Sequence, residues 1–342
     1  MRVKAVLVAG AVLATVAVLG PMRAAEAATS VTFAPRTVLG PGVPRDPRVK
    51  PQQNVVPVGT VSLKMAAKQT AYVVSVMRAN SATVRTLLDN EIVYKLPGGG
   101  SKNMVIGQNV YAKGGSAPAW EDVTLTTRYL VQADKAGTVV CTANVRTASL
   151  GYANSTLRLV GGSLRFAAQS VANTTAGRPA QGSAPQGLTK VDSGTRTARV
   201  PATGTFDLAS GFKKLSVFGD NEYMVCHTAK ICNTRGASTA RFTLYVNQWK
   251  ANGTVCHTDA SVTTTRTVPY AVHHYFVALN KADFAVLTGN GCIPRFNAYV
   301  KVDWLSGQTG AVQGTAVGLT DSRGSAAKHN SDMSHVYAVP VR

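Results

Sequence analysis

Acidic side chains are scarce in this 342-residue chain. It has 16 Asp and Glu against 36 Lys and Arg, a formal net charge of +20. That shortage argues against a calcium-laden protein, because each calcium site needs about six or more oxygen ligands. Helical periodicity is also missing. Only Ala66 to Leu88 is arguable as a helix, and its Tyr72-Val73-Val74-Ser75-Val76 centre is β-branched and aromatic, which favours strand. A helical bundle and an alternating α/β fold are thereby excluded. After Leu19 no apolar run is long enough to span a bilayer. No phosphate-binding loop, nucleophile elbow or His-Glu-x-x-His motif occurs. An enzyme on this chain would need a site assembled from dispersed residues.

The chain opens with Arg2 and Lys4, the apolar run Ala5 to Leu19, and the small-x-small triplet Ala25-Glu26-Ala27. These features read as a signal peptide over residues 1–27, with a mature start near Ala28. The expected destination is extracellular, with a cell wall as one place of retention. The Ala-, Val-, Thr- and Gly-rich composition points to a bacterial source. Removing residues 1–27 leaves a net charge of +18, scattered without runs. Such an excess favours polyanionic partners: an acidic envelope or extracellular polymer first, nucleic acid second.

Five sequence echoes recur in the same order. Val56 to Leu63 resembles Val200 to Leu208, Asp89-Asn90-Glu91 resembles Asp220-Asn221-Glu222, and Gly137 to Thr142 resembles Gly253 to Thr258. Arg165-Phe166 resembles Arg295-Phe296, and Gln181 to Thr189 resembles Gln313 to Thr320. They predict an internal duplication, with repeat A over 51–198 and repeat B over 199–342. Residues 28–50, with four prolines and Arg36, Arg45, Arg48 and Lys50, read as an extended basic arm. Short alternating runs such as Arg241 to Val246 and Ala298 to Val302, bounded by turn residues, predict an all-β fold. The expected architecture is two tandem antiparallel β-sandwiches, immunoglobulin-like at this domain size.

Five cysteines in an exported chain imply disulfides. Cys226, Cys232, Cys256 and Cys292 are the expected bridged set, with their pairing open among three possibilities. Cys141 then remains as a buried free thiol in a strand. The Cys-His pairs at 226–227 and 256–257 lack zinc-finger spacing, so no metal and no cofactor is expected. The two Asp-Asn-Glu triplets are the most site-like repeats; Asp-Asn starts a turn readily, and a turn is the expectation for both. Trp249 and Trp304 lie in strand-like runs and are expected in the core. Trp120 lies in a loop and is expected to be exposed. Candidate binding residues are therefore Arg36, Arg45, Arg48, Lys50 and Trp120. The leading functional expectation is a non-enzymatic module that binds an acidic polymer by distributed charge. A hydrolase with dispersed site residues is the alternative, and extracellular nucleic-acid binding is the third. The sequence leaves the oligomeric state open.

Overall fold

The computed structural model describes residues 29–46, 52–114, 120–171, 180–225, 236–270, 272, 274–319, 329–331 and 333–341. The expected signal peptide lies outside them. The described residues contain no α-helix, and all paired strands run antiparallel.

In the first half the strands are β1 (Ser30–Phe33), β2 (Arg36–Gly40), β3 (Asn54–Met65), β4 (Thr70–Asn80) and β5 (Thr86–Lys95). They are followed by β6 (Ser101–Val110), β7 (Val123–Gln132), β8 (Gly137–Ser149) and β9 (Ser155–Val171). One sheet has the order β1-β9-β4-β7, with β2 also on β9; the other runs β3-β8-β5-β6. Between them lies a core that includes Val61, Met77, Leu88, Ile92, Ile106 and Leu125.

The second half holds β10 (Gln181–Ser183), β11 (Leu188–Val191), β12 (Thr197–Ala202), β13 (Phe206–Asp207) and β14 (Lys214–Val225). Next come β15 (Ser238–Lys250), β16 (Val255–Ala260), β17 (Thr264–Val268), β18 (Tyr275–Ala285) and β19 (Cys292–Gly307). The remaining strands are β20 (Gly310–Gln313), β21 (Ala316–Leu319), β22 (His329–Ser331) and β23 (His335–Val341). One sheet contains β10-β23-β14, with β18 and the β20-β11 pair also attached to β14. The other runs β12-β19-β15-β16, with β13 on β19 and β17 on β15.

Alternation builds each sandwich. Along β15, Ala240, Phe242, Leu244 and Val246 are fully buried, while Arg241, Tyr245 and Asn247 point the other way and stay accessible. Each buried Val, Leu or Phe contributes about 1.5–3 kcal/mol.

Both halves share one wiring. The β2-β9-β4-β7 sheet corresponds to β10-β23-β14-β18, and β3-β8-β5-β6 corresponds to β12-β19-β15-β16. This is the double Greek key of a jelly roll, an order distinct from the seven-strand immunoglobulin sandwich within the same two-sheet class.

The structure revises three sequence expectations. The arm is no simple tether: its residues 30–40 form β1 and β2, which pair with β9 and start the first sandwich. Residues 181–191, assigned from sequence to repeat A, pair with β23 and β20 in the second half. The echoes do not mark equivalent places either. Asp89-Asn90-Glu91 lies on β5 but Asp220-Asn221-Glu222 on β14, the counterpart of β4. Of the five, only Val56 to Leu63 and Val200 to Leu208 fall on corresponding strands, β3 and β12–β13.

Candidate functional site

Neither Asp-Asn-Glu triplet is a turn. Both lie in mid-strand, and all six residues are buried. In a strand the outer two residues of a triplet share one face and the middle one takes the other. Asn90 points into the first sandwich, where its Nδ2 donates to the carbonyls of Ser75 (2.9 Å) and Leu125 (3.2 Å) and its Oδ1 accepts from Ser75 Oγ (2.7 Å). The acids point outward, and their faces are buried because the two sandwiches pack on each other there.

That seam joins the β3-β8-β5-β6 face of the first sandwich to the β14-β18-β20 face of the second. Glu91 accepts from Asn103 Nδ2 (2.9 Å), Asn144 Nδ2 (2.7 Å) and Arg146 Nη1 (2.9 Å). Arg146 also donates to Gln53, whose amide donates to Asp89 at 2.7 Å. Glu222 crosses the seam: its Oε2 accepts the Gly107 N–H at 2.8 Å, and its Oε1 meets His274 Nδ1 and accepts from Gln313 at 3.0 Å. Gly107 is needed for this approach, since a Cβ there would sit 2.4 Å from Asp89 Oδ1 and 3.2 Å from Glu222 Oε2. The main chain crosses too, with Asn109 N–H donating to the His274 carbonyl at 3.1 Å. Further along, Arg128 of β7 forms a two-pronged pair with Asp220 of β14, which also accepts from Tyr337 Oη at 2.9 Å. The Arg128 guanidinium lies 4.7 Å from the Phe218 ring centroid, within an apolar patch of Tyr72, Leu130, Phe218 and Tyr337.

Burial and the nearby Glu222 push the Asp89 carboxyl up to about 6, against the opposing pull of Arg146, His274 and Gln53. Burial would lower His274, but Glu222 and Asp89 more than offset it and raise the imidazole above its ordinary value. Burial would likewise raise Asp220, but Arg128 and His335 hold it below the usual carboxylate range. Asp89 and Glu222 are 5% and 1% exposed and their oxygens face protein groups, so this cluster acts as a clamp between sandwiches.

The candidate binding residues are dispersed. Arg36 is exposed on β2, and exposed Arg45 sits 5.7 Å from the ring centroid of Tyr152. Arg48 and Lys50 lie outside the described residues. Trp120 is corrected: it is half-buried, packs against the second core and meets Tyr275 edge-on at 4.7 Å. A loop residue of the first half is thus covered by the second, which local sequence does not reveal. Cys256 and Cys292 form the disulfide that ties β16 to β19. Cys141 is a buried free thiol, pushed by burial to about 12. Cys226 and Cys232 lie outside the described residues. Trp304 packs against the second core as expected. Trp249 does not; it stands on the outer face of β15 and donates its indole N–H to Asn297 Oδ1 at 2.9 Å. No group of three or more His, Cys, Asp or Glu suited to a metal occurs among the described residues.

That outer face was missed by sequence reasoning. Tyr245 and Tyr299 are cross-strand partners whose rings stack at 5.3 Å and 15°. Arg199 of β12 places its guanidinium 5.3 Å from the Tyr299 centroid. The signal lay in the outward members of an alternating run, Arg241, Thr243, Tyr245, Asn247 and Trp249.

Fold and seam together define a tandem antiparallel β-sandwich protein. No family model matches the chain, and no curated protein matches it in sequence. Among solved structures it is similar to a peptide-N(4)-(N-acetyl-β-D-glucosaminyl) asparagine amidase, at 8% identity and a TM-score of 0.34, covering 91% of this chain and 96% of that one. It is similar to PNGF-II in a C2 crystal form at 9% identity and a TM-score of 0.33, covering 92% of this chain and 66% of that one. The chain therefore spans about two thirds of the length of PNGF-II. It is also similar to the CBM22-1-CBM22-2 tandem domain of Paenibacillus barcinonensis Xyn10C, at 10% identity and a TM-score of 0.23, covering 92% and 94%.

Proposed function

We propose that this chain is an extracellular, non-enzymatic module that binds an acidic cell-envelope or matrix polymer. The observation that carries the reading is where the acids go. Four of the 16, Asp89, Glu91, Asp220 and Glu222, are buried in the seam, and the cationic groups that face them among the described residues are buried Arg146, half-buried Arg128 and His274. Folding thus removes more negative than positive charge from a surface that was already basic. Exposed cations at that density attract polyanions, and each contact releases condensed counterions. The disulfide between Cys256 and Cys292 fits an oxidising compartment.

The test is retention on an immobilised acidic glycan across a salt series. The expected result is binding at low salt, with log affinity falling linearly with log salt concentration. Absence of binding at low salt, or salt-insensitive turnover of the polymer, would overturn the reading.

A further inference from the structure

We infer that the outward face of β12, β15 and β19 is a binding site for an acidic polysaccharide. The Tyr245–Tyr299 pair and Trp249 supply the aromatic surface beside which the sugar rings lie, and Arg199 and Lys301 seat the carboxylates. The inference rests on the polyanion-binding reading above and gives it a place and a ligand class.

Outward positions of a sandwich strand are ordinarily polar, and here three of them carry large rings. Tyr245 and Tyr299 sit directly opposite in register, their rings stacked on each other and nearly parallel, and both remain partly accessible. One register step along, Asn247 faces Asn297, and their amides lie 3.3 Å apart. Asn297 Oδ1 also holds the Trp249 indole, and Thr258 Oγ1 donates to Asn247 Oδ1 at 2.8 Å. Aromatic side chains beside an amide and hydroxyl cluster offer two complementary contacts to a sugar: apolar surface for its C–H groups and donors and acceptors for its hydroxyls.

At the other side of the tyrosine pair the face turns basic. Arg199 is held over Tyr299, which fixes its direction. Lys301 lies opposite Arg199 on the neighbouring strand, and Arg241 follows on β15. The nearby carboxylate is Asp303, satisfied by Thr197, Arg241 and Lys301. Three cations against one acid leave the face net positive. Two of the strands beneath, β15 and β19, are central to their sheet, and the disulfide ties β19 to β16, so little ordering is required on binding.

The topology shows the face to be the open counterpart of a covered one. The β3-β8-β5-β6 sheet of the first sandwich corresponds to this sheet, and its outward side is closed by the second sandwich. The layout of the face favours a saccharide over a nucleic acid. Its cations gather at one end, where Arg199 lies opposite Lys301 and Arg241 follows on β15, while the Asn247–Asn297 amides and the Trp249 indole occupy the other. A nucleic-acid strand places a phosphate every ~3.4 Å, along the amide end as well, whereas a sugar chain offers those amides its hydroxyls.

The experiment is calorimetric titration of the full chain with oligogalacturonate, an uncharged glucan of the same length, and an oligothymidylate. The variants are Arg199→Ala, Tyr299→Ala and Tyr299→Phe, with Arg165→Ala, an exposed arginine of β9, as the charge-matched control. The expected result is preference for oligogalacturonate and at least a tenfold loss in Arg199→Ala and Tyr299→Ala. Arg165→Ala should bind like the parent, and Tyr299→Phe, which keeps the ring, should lose less affinity than Tyr299→Ala. Arg199 is exposed, so its variant should melt with the parent and keeps the test valid if Tyr299→Ala unfolds. Undiminished binding by Arg199→Ala and Tyr299→Ala would overturn this site while leaving the polyanion reading in place. Tighter binding of oligothymidylate would overturn the saccharide assignment. Binding of no anionic polymer by the parent would remove both.

Discussion

At the residue scale, the two triplets place the same amide in opposite circumstances. Asn90 is buried with both its side-chain polar atoms bonded, bridging the first sandwich through Ser75 and Leu125. Asn221 is equally buried, on the inner face of β14, yet neither its Oδ1 nor its Nδ2 has a hydrogen-bond partner among the described residues. A buried polar group without a partner costs about 1–3 kcal/mol, whereas an apolar side chain of the same shape carries no such penalty. Asn221→Leu is therefore expected to raise the midpoint of denaturant unfolding, and Asn90→Leu to lower it by a comparable free energy. Measuring both in urea checks the contrast; equal destabilisation by the two would contradict it.

At the element scale, β14 and the segment leading into β18 bring titratable groups to one line, and the direction of their shifts sets the pH dependence. Asp89 is raised to about 6, so its ionised form is disfavoured in the folded protein and stability grows as pH falls through that value. His274 is raised as well, so its contribution is full below the ordinary histidine value and is lost as pH climbs through the raised one. Asp220 is lowered; its contribution holds above the ordinary carboxylate value and is lost only in stronger acid. Together these shifts predict a melting temperature higher at pH 5 than at pH 8, with a decline below about pH 4. Asp89→Asn should flatten the slope between pH 5 and 8. A parent more stable at pH 8 would refute this ordering of charges.

The elements also show what the sequence could reveal. Strand character was legible wherever alternation was clean, as in β15 and β19, because one face is core and the other meets water. The seam was not legible. Asp89 and Glu91 alternate with the inward-facing Leu88, Asn90 and Ile92 just as solvent-facing acids would, and nothing local distinguishes a face covered by water from one covered by a second sandwich. Trp120 and Trp249 exchanged roles for the same reason: burial of the loop and exposure of the strand face are both set by long-range packing. The strand order was hidden too, since the echoes around Asp89 and Asp220 recur on strands that do not correspond.

At the scale of the whole molecule, the seam couples the halves. Arg128 lies in the first sandwich and Asp220 in the second, and removing one partner of a buried ion pair costs about 3–5 kcal/mol by stranding the other. The parent chain should unfold in one calorimetric transition, with calorimetric and van't Hoff enthalpies equal. Arg128→Ala should lower its temperature and split it into two. Two transitions in the parent, or one unshifted transition in the variant, would show that the seam does not join the sandwiches energetically.

The two sandwiches meet through faces that do not correspond: the β5 sheet of one lies against the β14 sheet of the other. A contact of that kind has no self-complementary partner and gives the pair a direction, with a donor end and an acceptor end. Repeated, such a contact closes into a ring or runs on as an open filament. The face of the second sandwich that corresponds to the β5 face carries Arg199, Arg241, Lys301 and a panel of rings in place of the acids of β5, so it does not offer a third sandwich the same contact.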